Sequence, residues 1–239
     1  MPGKLYLVAT PIGNLQDITL RALETLRTVD LIAAEDTRRA AILLGRYEIR
    51  KPMVSYHNFN ERTAAPRLLA ELLNEKNIAL ITDAGSPGIS DPAFYLVRET
   101  LARKIAVEAI PGPTALIPAL TLSGLPCHRF IFEGFPPVKK GRQTFFQTLA
   151  QEERTIVLYE APSRVVRTLE AILHHWGDRR AAIARELTKL HEEVLRGPIS
   201  ELLVQLSQRT LKGECVIVIA GRSEDQKIEH QAGEKESSR

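Results

Sequence analysis

Three loops rich in glycine and proline contain residue types suited to holding a small polar ligand. They span residues 9–18 (ATPIGNLQDI), 82–92 (TDAGSPGISDP) and 110–124 (IPGPTALIPALTLSG), and each follows an apolar run. Small residues let a ligand approach the backbone, and the free N–H groups of a helix start suit a carboxylate. The loops contain no Lys or Arg, and the chain lacks GxGxxG and GxxxxGKS/T phosphate motifs. S-adenosylmethionine, a phosphate-free ligand whose sulfonium a lysine would repel, fits these loops, although ordinary turns are the alternative.

Charged side chains collect in other loops that follow apolar runs, at residues 35–40, 57–62, 136–142, 160–164 and 185–193. Basic groups there could neutralise the phosphates of a nucleic acid. The candidates are Arg38, Arg39, Lys139, Lys140, Arg142, Arg164, Arg185 and Lys189. His57 and Phe59 could stack on an unstacked base. The alternatives are a capping or core role for His57 and a solvated helix start for residues 136–142.

Four side chains are candidates for a general base that takes a proton from a hydroxyl nucleophile. They are Asp36, Glu160, Glu186 and Lys189. Such a base accelerates the reaction by about 10²–10⁴-fold. A lysine needs burial or a neighbouring cation to lower its pKa, which Arg185 favours and Glu186 opposes. Each candidate could equally belong to a structural ion pair, and the sequence offers no Ser-His-Asp arrangement and no metal-ligating cluster.

The elements that must position these loops alternate between short apolar runs and amphipathic stretches, which predicts an α/β fold with mostly parallel sheets covered by helices. The predicted strands are Leu5–Ala9, Leu31–Ala34, Met53–Tyr56, Ile78–Thr82, Ile105–Ala109, Phe130–Glu133, Thr155–Tyr159, Ala181–Ala184 and Cys215–Ala220. Asp17 is the predicted N-cap of the first helix, and Gly177 ends a later one. The break at SGLPCHR predicts lobes of residues 1–122 and 123–221, and 222–239 is a polar tail predicted to be disordered.

The composition favours a folded protein of a reducing compartment. Apolar residues make up 44% of the 239 residues, and the net charge of +3 is too balanced to indicate nucleic-acid binding by itself. The two cysteines, Cys127 and Cys215, lie far apart and predict no disulfide framework. The N-terminal apolar run is too short for a signal peptide or membrane span, so a cytoplasmic location without membrane association is expected.

Several of these segments, taken in order, resemble the tetrapyrrole methylase superfamily. They are VATPIGNLQDITLRA, EDTR, TDAGSPGISDP, PGPTALIPAL, LYEAPSR and RELTKLHEE, within residues 5–221. The resemblance is to the ribosomal branch, the 16S rRNA (cytidine-2′-O)-methyltransferases. It implies two α/β lobes with the S-adenosylmethionine cleft between them, a homodimer, and a substrate in the decoding region of the small ribosomal subunit.

Carried over by motif, the resemblance implies a set of residues that contact the methyl donor, mostly through backbone atoms. They are Pro11, Ile12, Ser86, Ile89, Thr114, Ala115, Tyr159, Ala184 and Cys215. For Cys215 a core position is the alternative. The chain departs from its branch after the last strand, where a further helical segment is replaced by the polar tail. Two other functions stay open: methylation of a tetrapyrrole-like acid, and RNA binding without catalysis.

Overall fold

The computed structural model describes residues 2–207 and 209–222, so nearly all of the tail predicted at 222–239 lies outside the described residues. The chain divides into two compact units. The first spans Met1–Thr114 and the second begins at Ala115. This division falls eight residues before the lobe boundary placed at residue 122 from the sequence.

The first unit is built on a five-stranded sheet in which every pairing is parallel. Its strands are β1 (Leu5–Val8), β2 (Leu31–Ala34), β3 (Met53–Ser55), β4 (Ile78–Ile81) and β5 (Val107–Ile110), in the order β3-β2-β4-β1-β5. Its helices are α1 (Leu20–Thr28), α2 (Thr37–Arg46), α3 (Glu61–Leu73) and α4 (Phe94–Ala102). The apolar faces of α1 and α2 pack on one side of the sheet, and those of α3 and α4 pack on the other. Both sides of the sheet are therefore buried, as expected for parallel strands joined through helices.

The start of α1 differs from the prediction. Thr19 is the N-cap, and its side-chain oxygen accepts a hydrogen bond of 3.1 Å from the Ala22 N–H. Asp17 instead lies in a short 3₁₀ turn, Leu15–Asp17, that precedes the helix. Both residue types cap helices well, so only the path of the chain decides between them. The prediction that Gly177 ends its helix is correct, because the Gly177 N–H donates to the Leu173 carbonyl.

The second unit contains a mixed sheet in the order β6-β7-β10-β8-β9. Its strands are β6 (Phe130–Gly134), β7 (Thr155–Glu160), β8 (Arg180–Arg185), β9 (Glu193–Pro198) and β10 (Cys215–Ile219). Its helices are α5 (Leu116–Leu122), α6 (Arg142–Leu149), α7 (Val165–Trp176) and α8 (Ile199–Ser207). Only β6 and β7 pair in parallel; the pairings of β10 with β7 and β8, and of β8 with β9, are antiparallel.

The expectation of mostly parallel strands is therefore wrong for the second unit. The cause is β9, a strand that the sequence did not reveal because it is a half-exposed edge strand containing Gly197 and Pro198. A short hairpin joins β8 to β9 and reverses the chain direction. β7 and β8, which are joined through α7, run in the same direction, and so do β9 and β10, which are joined through α8. β10 lies between β7 and β8 and therefore runs antiparallel to both. Among the described residues, no helix combines the length and apolar character needed to cross a membrane.

Candidate functional site

Three loops of the first unit, which we call the glycine-rich loops, span residues 9–18, 82–92 and 110–114. They follow the carboxyl ends of β1, β4 and β5, which are neighbours in the sheet. Ligands of parallel α/β sheets bind at this edge. Thr10 and Gly85 join the first two loops, because each N–H donates to the other residue's carbonyl at 2.9 Å. The buried Thr10 hydroxyl also donates to the Thr82 carbonyl at 3.0 Å.

Gly85 lies where the three glycine-rich loops meet. Its φ of +86° lies in the left-handed region that favours glycine. A Cβ built on it would lie 3.7 Å from the Ile12 side chain and 3.9 Å from the Pro113 carbonyl oxygen. The Ser86 hydroxyl donates to that same oxygen at 3.4 Å. The loops therefore lie together at one edge of the sheet.

The first-unit residues that were predicted to contact S-adenosylmethionine differ in how exposed they are. Pro11 and Ile12 are buried, and Ser86 and Thr114 are half-buried. Ile89 has 40% of its surface exposed. The glycine-rich loops therefore combine buried apolar side chains with partly exposed residues that a ligand can reach.

In the second unit, the strand register separates the predicted donor contacts. Tyr159 and Ala184 both pair with Val216, so their side chains share one face of the sheet. Cys215 is the neighbouring residue of β10 and therefore points to the opposite face, where it joins the core under α6, α7 and α8. Its thiol is buried, and this burial raises its pKa to about 11. The geometry favours a core position for the Cys215 side chain. Ala115 is half-buried at the N-cap of α5.

A cluster of acidic groups lies beside the glycine-rich loops, at the ends of β2 and β4. The Asp83 N–H donates to Glu35 Oε2 at 3.2 Å, and the Asp36 N–H donates to Asp83 Oδ1 at 3.1 Å. Arg39 places a guanidinium nitrogen 3.3 Å from Asp83 Oδ2. Glu35, Thr82 and Asp83 were not among the site residues predicted from the sequence. Their position directly after or at the end of predicted strands was the available signal.

Asp36, one of the four base candidates, is the N-cap of α2. Its carboxylate accepts from the Arg38 N–H at 2.8 Å and pairs with the Arg38 guanidinium at 2.7 Å. These hydrogen bonds hold the pKa of Asp36 well below its ordinary value. A carboxylate with a lowered pKa accepts a proton poorly, so this geometry favours the capping role.

Glu160, the second candidate, is a buried structural group. It is 1% exposed and accepts hydrogen bonds from Arg164 at 2.6 Å, from the Thr168 hydroxyl at 2.6 Å and from the Ala161 N–H at 2.9 Å. Arg142 extends this cluster, because its Nη2 lies 2.9 Å from the Thr168 hydroxyl. With its acceptor oxygens engaged inside the second unit, Glu160 is poorly placed to take a proton from a ligand.

The remaining candidates, Glu186 and Lys189, form an ion pair of 2.9 Å in the loop between β8 and β9. The hydrogen bond from Lys189 lowers the pKa of Glu186. Glu186 and Thr188 have φ values of +50° and +67°, an uncommon conformation for residues with side chains. Gly213 lies beneath the pair: a Cβ there would overlap the Glu186 carboxylate. The Lys189 side chain is 32% exposed, so part of its surface is open to solvent.

Of the eight predicted RNA-contacting cations, Lys189 belongs to the ion pair with Glu186, and the other seven fall into two groups. Arg38, Arg39, Lys139 and Lys140 are exposed. Three others are held within the second unit. Arg142 is 9% exposed and donates to the Pro137 carbonyl, Arg164 pairs with Glu160, and Arg185 pairs with Glu193 at 2.6 Å. For these three the geometry favours structural roles, because a phosphate contact would break buried bonds.

His57 and Phe59 lie together at the turn before α3, with ring centroids 6.0 Å apart. Phe59 is 98% exposed, as an aromatic ring that stacks on a base must be. His57 is half-buried, and its Nδ1 has no hydrogen-bond partner among the described residues. The backbone N–H of His57 donates to Asn60 Oδ1 at 2.8 Å, and this hydrogen bond fixes the turn.

Comparison with known proteins gives a match to the family model for tetrapyrrole (corrin/porphyrin) methylases over residues 4–203. A Thermotoga maritima protein named ribosomal RNA small subunit methyltransferase I is 47% identical over 220 residues, which cover 92% of this chain and 99% of that protein. The Synechocystis protein of the same name is 53% identical over 221 residues, covering 92% of this chain and 79% of the relative.

Solved structures show the same fold at low sequence identity. A diphthine synthase superposes with a TM-score of 0.71 at 16% identity, covering 91% of this chain and 90% of that one. The uroporphyrin-III C-methyltransferase from Thermus thermophilus, complexed with S-adenosyl homocysteine, has a TM-score of 0.65 at 18% identity, covering 91% and 97%. At these identities the likeness concerns the fold alone.

Proposed function

Because this chain belongs to the tetrapyrrole methylase family, we propose that it transfers a methyl group from S-adenosylmethionine to RNA of the small ribosomal subunit. The acceptor that we propose is the 2′-hydroxyl of a cytidine. The relatives that share about half of its residues are named as methyltransferases of small-subunit ribosomal RNA, which supports this substrate.

The observation that carries the proposal is the contact among the glycine-rich loops. Thr10, Gly85 and Pro113 bring the ends of three strands together, and no Lys or Arg occurs in these loops. A cation there would raise the energy of a bound sulfonium by Coulomb repulsion, and a phosphate ligand would lack its usual partner. The residues present therefore fit S-adenosylmethionine.

S-adenosylmethionine supplies an activated methyl group, whose bond to sulfur breaks as the new bond to oxygen forms. Pro11, Ile12 and Ser86 would hold it through backbone atoms and apolar contact. The protein's main contribution is to align this methyl group with the acceptor oxygen, and alignment can contribute about 7–11 kcal/mol. The acceptor hydroxyl gives up its proton to solvent as the oxygen takes the methyl group, so a cation that stabilises the ionised form of that hydroxyl increases the rate.

We assign this last role to Lys189, with Glu186 as the residue that positions it. Of the four candidates, Asp36 and Glu160 have their carboxylates committed to a helix cap and a buried cluster. Lys189 is accessible, and its ammonium is oriented by Glu186 at 2.9 Å, with Glu214 Oε2 at 3.8 Å. An oriented ammonium stabilises an oxyanion electrostatically and donates a hydrogen bond to it.

The exposed cations Arg38, Arg39, Lys139 and Lys140, with the exposed ring of Phe59, are the groups that we propose for RNA contact. Each phosphate contact made by a cation adds to the salt dependence of binding. Replacing Lys139 and Lys140 together by Gln is expected to weaken subunit binding and to reduce that salt dependence, without changing affinity for S-adenosylmethionine.

The test of the proposed function is methyl transfer from labelled S-adenosylmethionine to small ribosomal subunits and to their free RNA. Sites resistant to alkaline cleavage then identify the methylated ribose. Lys189→Met is expected to lower kcat by about 10²–10³-fold, as loss of an oxyanion donor does, with unchanged donor affinity. Lys104→Met, which removes an exposed lysine of the first unit, is the matched control.

Two outcomes would contradict the proposal. Binding of S-adenosylmethionine without transfer to subunits or RNA would remove the RNA assignment. Methylation of uroporphyrinogen or a precorrin would replace it with the small-molecule alternative. A Lys189→Met enzyme with the wild-type kcat would leave the reaction intact but exclude the assigned role of Lys189.

A further inference from the structure

A pocket of about 190 Å³ opens in the first unit between α2 and the ends of β2, β4 and β1. Leu15, Ala40 and Leu43 are among its apolar lining residues, and Glu35, Arg39 and Asp83 contribute charged groups. Thr10 and Pro11 of the first glycine-rich loop also line it. The pocket therefore lies next to the proposed donor site, and it has walls suited to a flat ring and polar groups suited to hydrogen bonding.

Glu35 is the carboxylate in this pocket that has hydrogen-bonding capacity to spare. Its Oε2 accepts the Asp83 N–H at 3.2 Å, and its Oε1 accepts no hydrogen bond from the part of the chain that the structure describes. Asp83 is engaged at both oxygens, by the Asp36 N–H and by Arg39. Asp36 is engaged by Arg38. A ligand with an amino group would therefore meet an available acceptor at Glu35.

Two residues with hydrogen-bond donor groups, Arg39 and Thr82, line the same pocket. Among the described residues the Arg39 guanidinium makes one ion pair, at 3.3 Å to Asp83, and its side chain is 66% exposed. A guanidinium carries five N–H donors, so most remain available. Thr82, which is 4% exposed, also lines the pocket, and its buried hydroxyl has no hydrogen-bond partner among the described residues. A buried hydroxyl without a hydrogen-bond partner is costly, and Thr82 contributes such a hydroxyl to the wall of the pocket.

We propose that this pocket binds the cytosine base of the acceptor nucleotide, an inference that rests on the proposed function. Cytosine presents one amino donor, N4, beside two acceptors, N3 and O2. Glu35 accepts from the amino group, as carboxylates do when they read cytosine, while Arg39 donates to the ring nitrogen or the carbonyl. The base then anchors the nucleotide beside the glycine-rich loops.

The same arrangement rejects uracil. Uracil presents a carbonyl oxygen where cytosine has its amino group, so that oxygen would face the Glu35 carboxylate without a proton between them. A correct hydrogen-bonded pair contributes about 1–3 kcal/mol of discrimination between bases, and 1.4 kcal/mol is a factor of ten. The expected preference for cytidine over uridine at the methylated position is about 10- to 100-fold in kcat/KM.

The test compares wild-type protein with Glu35→Gln on unmethylated small subunits that carry either cytidine or uridine at the methylated position. The substituted glutamine retains an oxygen for the Asp83 N–H, so the fold is preserved, and its amide can donate to the uracil carbonyl. We expect the cytidine preference to fall toward unity. Glu24→Gln, which removes an exposed carboxylate of α1, is the matched control and should leave the preference unchanged.

Calorimetry with S-adenosylmethionine distinguishes the possible failures. An unchanged cytidine preference in Glu35→Gln would overturn the inference, and a loss of donor affinity with that preference intact would assign the pocket to the donor. A different result would refute the proposed function, and the base pocket with it: wild-type protein that binds S-adenosylmethionine but methylates neither the cytidine-bearing nor the uridine-bearing small subunit. Thermal unfolding at the wild-type temperature checks that Glu35→Gln is folded.

Discussion

Replacement of Glu160 by alanine separates a structural carboxylate from a catalytic one. The Glu160 side chain is completely buried in the second unit, where Arg164, Thr168 and Ala161 donate hydrogen bonds to it. Alanine removes all three bonds and leaves the Arg164 guanidinium without its partner. If Glu160 is structural, the free energy of unfolding must fall substantially.

The size of the loss follows from these contacts. Removing one partner of a buried ion pair costs about 3–5 kcal/mol, because the other charge stays desolvated. Arg164 keeps 23% of its side-chain surface exposed, so water compensates part of its charge. The lower end of the range, about 3 kcal/mol, is therefore expected for Glu160→Ala. Thr168→Val, which removes one buried hydroxyl, is expected to cost about 1–3 kcal/mol.

Urea unfolding followed by tryptophan fluorescence measures this loss. The chain has one tryptophan, Trp176, which is buried on α7 and donates from Nε1 to the Phe146 carbonyl at 2.6 Å. Its emission therefore reports unfolding of the second unit. The matched control is Glu170→Ala, which removes an exposed glutamate from the same helix and is expected to change stability by about 0.5 kcal/mol or less.

The double variant Glu160→Ala with Arg164→Met strengthens the measurement. Because it removes both charges, its loss should be smaller than the sum of the two single losses. The structural role of Glu160 would be refuted if Glu160→Ala unfolded at the wild-type urea concentration while its methyl transfer fell by a hundredfold or more. That result would return Glu160 to the reaction as a catalytic group.

Three further predictions concern the backbone, the pH dependence and the cysteines. Gly85→Ala introduces a side chain at a φ of +86°, so it should cost about 1–2 kcal/mol in urea unfolding and weaken S-adenosylmethionine binding in calorimetry; unchanged values for both would contradict the role of Gly85. Arg154 hydrogen bonds lower the pKa of Glu152 from 4.5 to about 2, so the stability that this pair contributes is present above pH 4.5 and is lost as the pH falls toward 2. Glu152→Gln should flatten that acid limb in urea titrations, and an unchanged slope would argue against the ion pair. At pH 8 an alkylating reagent should modify the exposed Cys127 but not Cys215, whose pKa burial raises to about 11; denatured protein should react at both.

The sequence determined the elements that depend on local patterning. The family predicted from six ordered motifs is confirmed, and so is the α/β fold. All nine predicted strands are present, with boundaries that differ by at most two residues, because buried strands are continuous apolar runs bounded by loops. The meeting of the glycine-rich loops was also foreseeable, since loops at the carboxyl ends of neighbouring parallel strands share one edge of the sheet.

Only the tertiary structure decided which charged groups are available to a ligand. Arg39 and Arg142 look alike in the sequence, yet one is exposed beside a pocket and the other lies in the interior with Thr168. Availability depends on partners distant along the chain, as with Glu35 and Asp83, which are 48 residues apart. The antiparallel pairings of the mixed second sheet and the inward face of Cys215 have the same origin. They follow from one hairpin and its strand register, which long-range pairing fixes and local sequence does not.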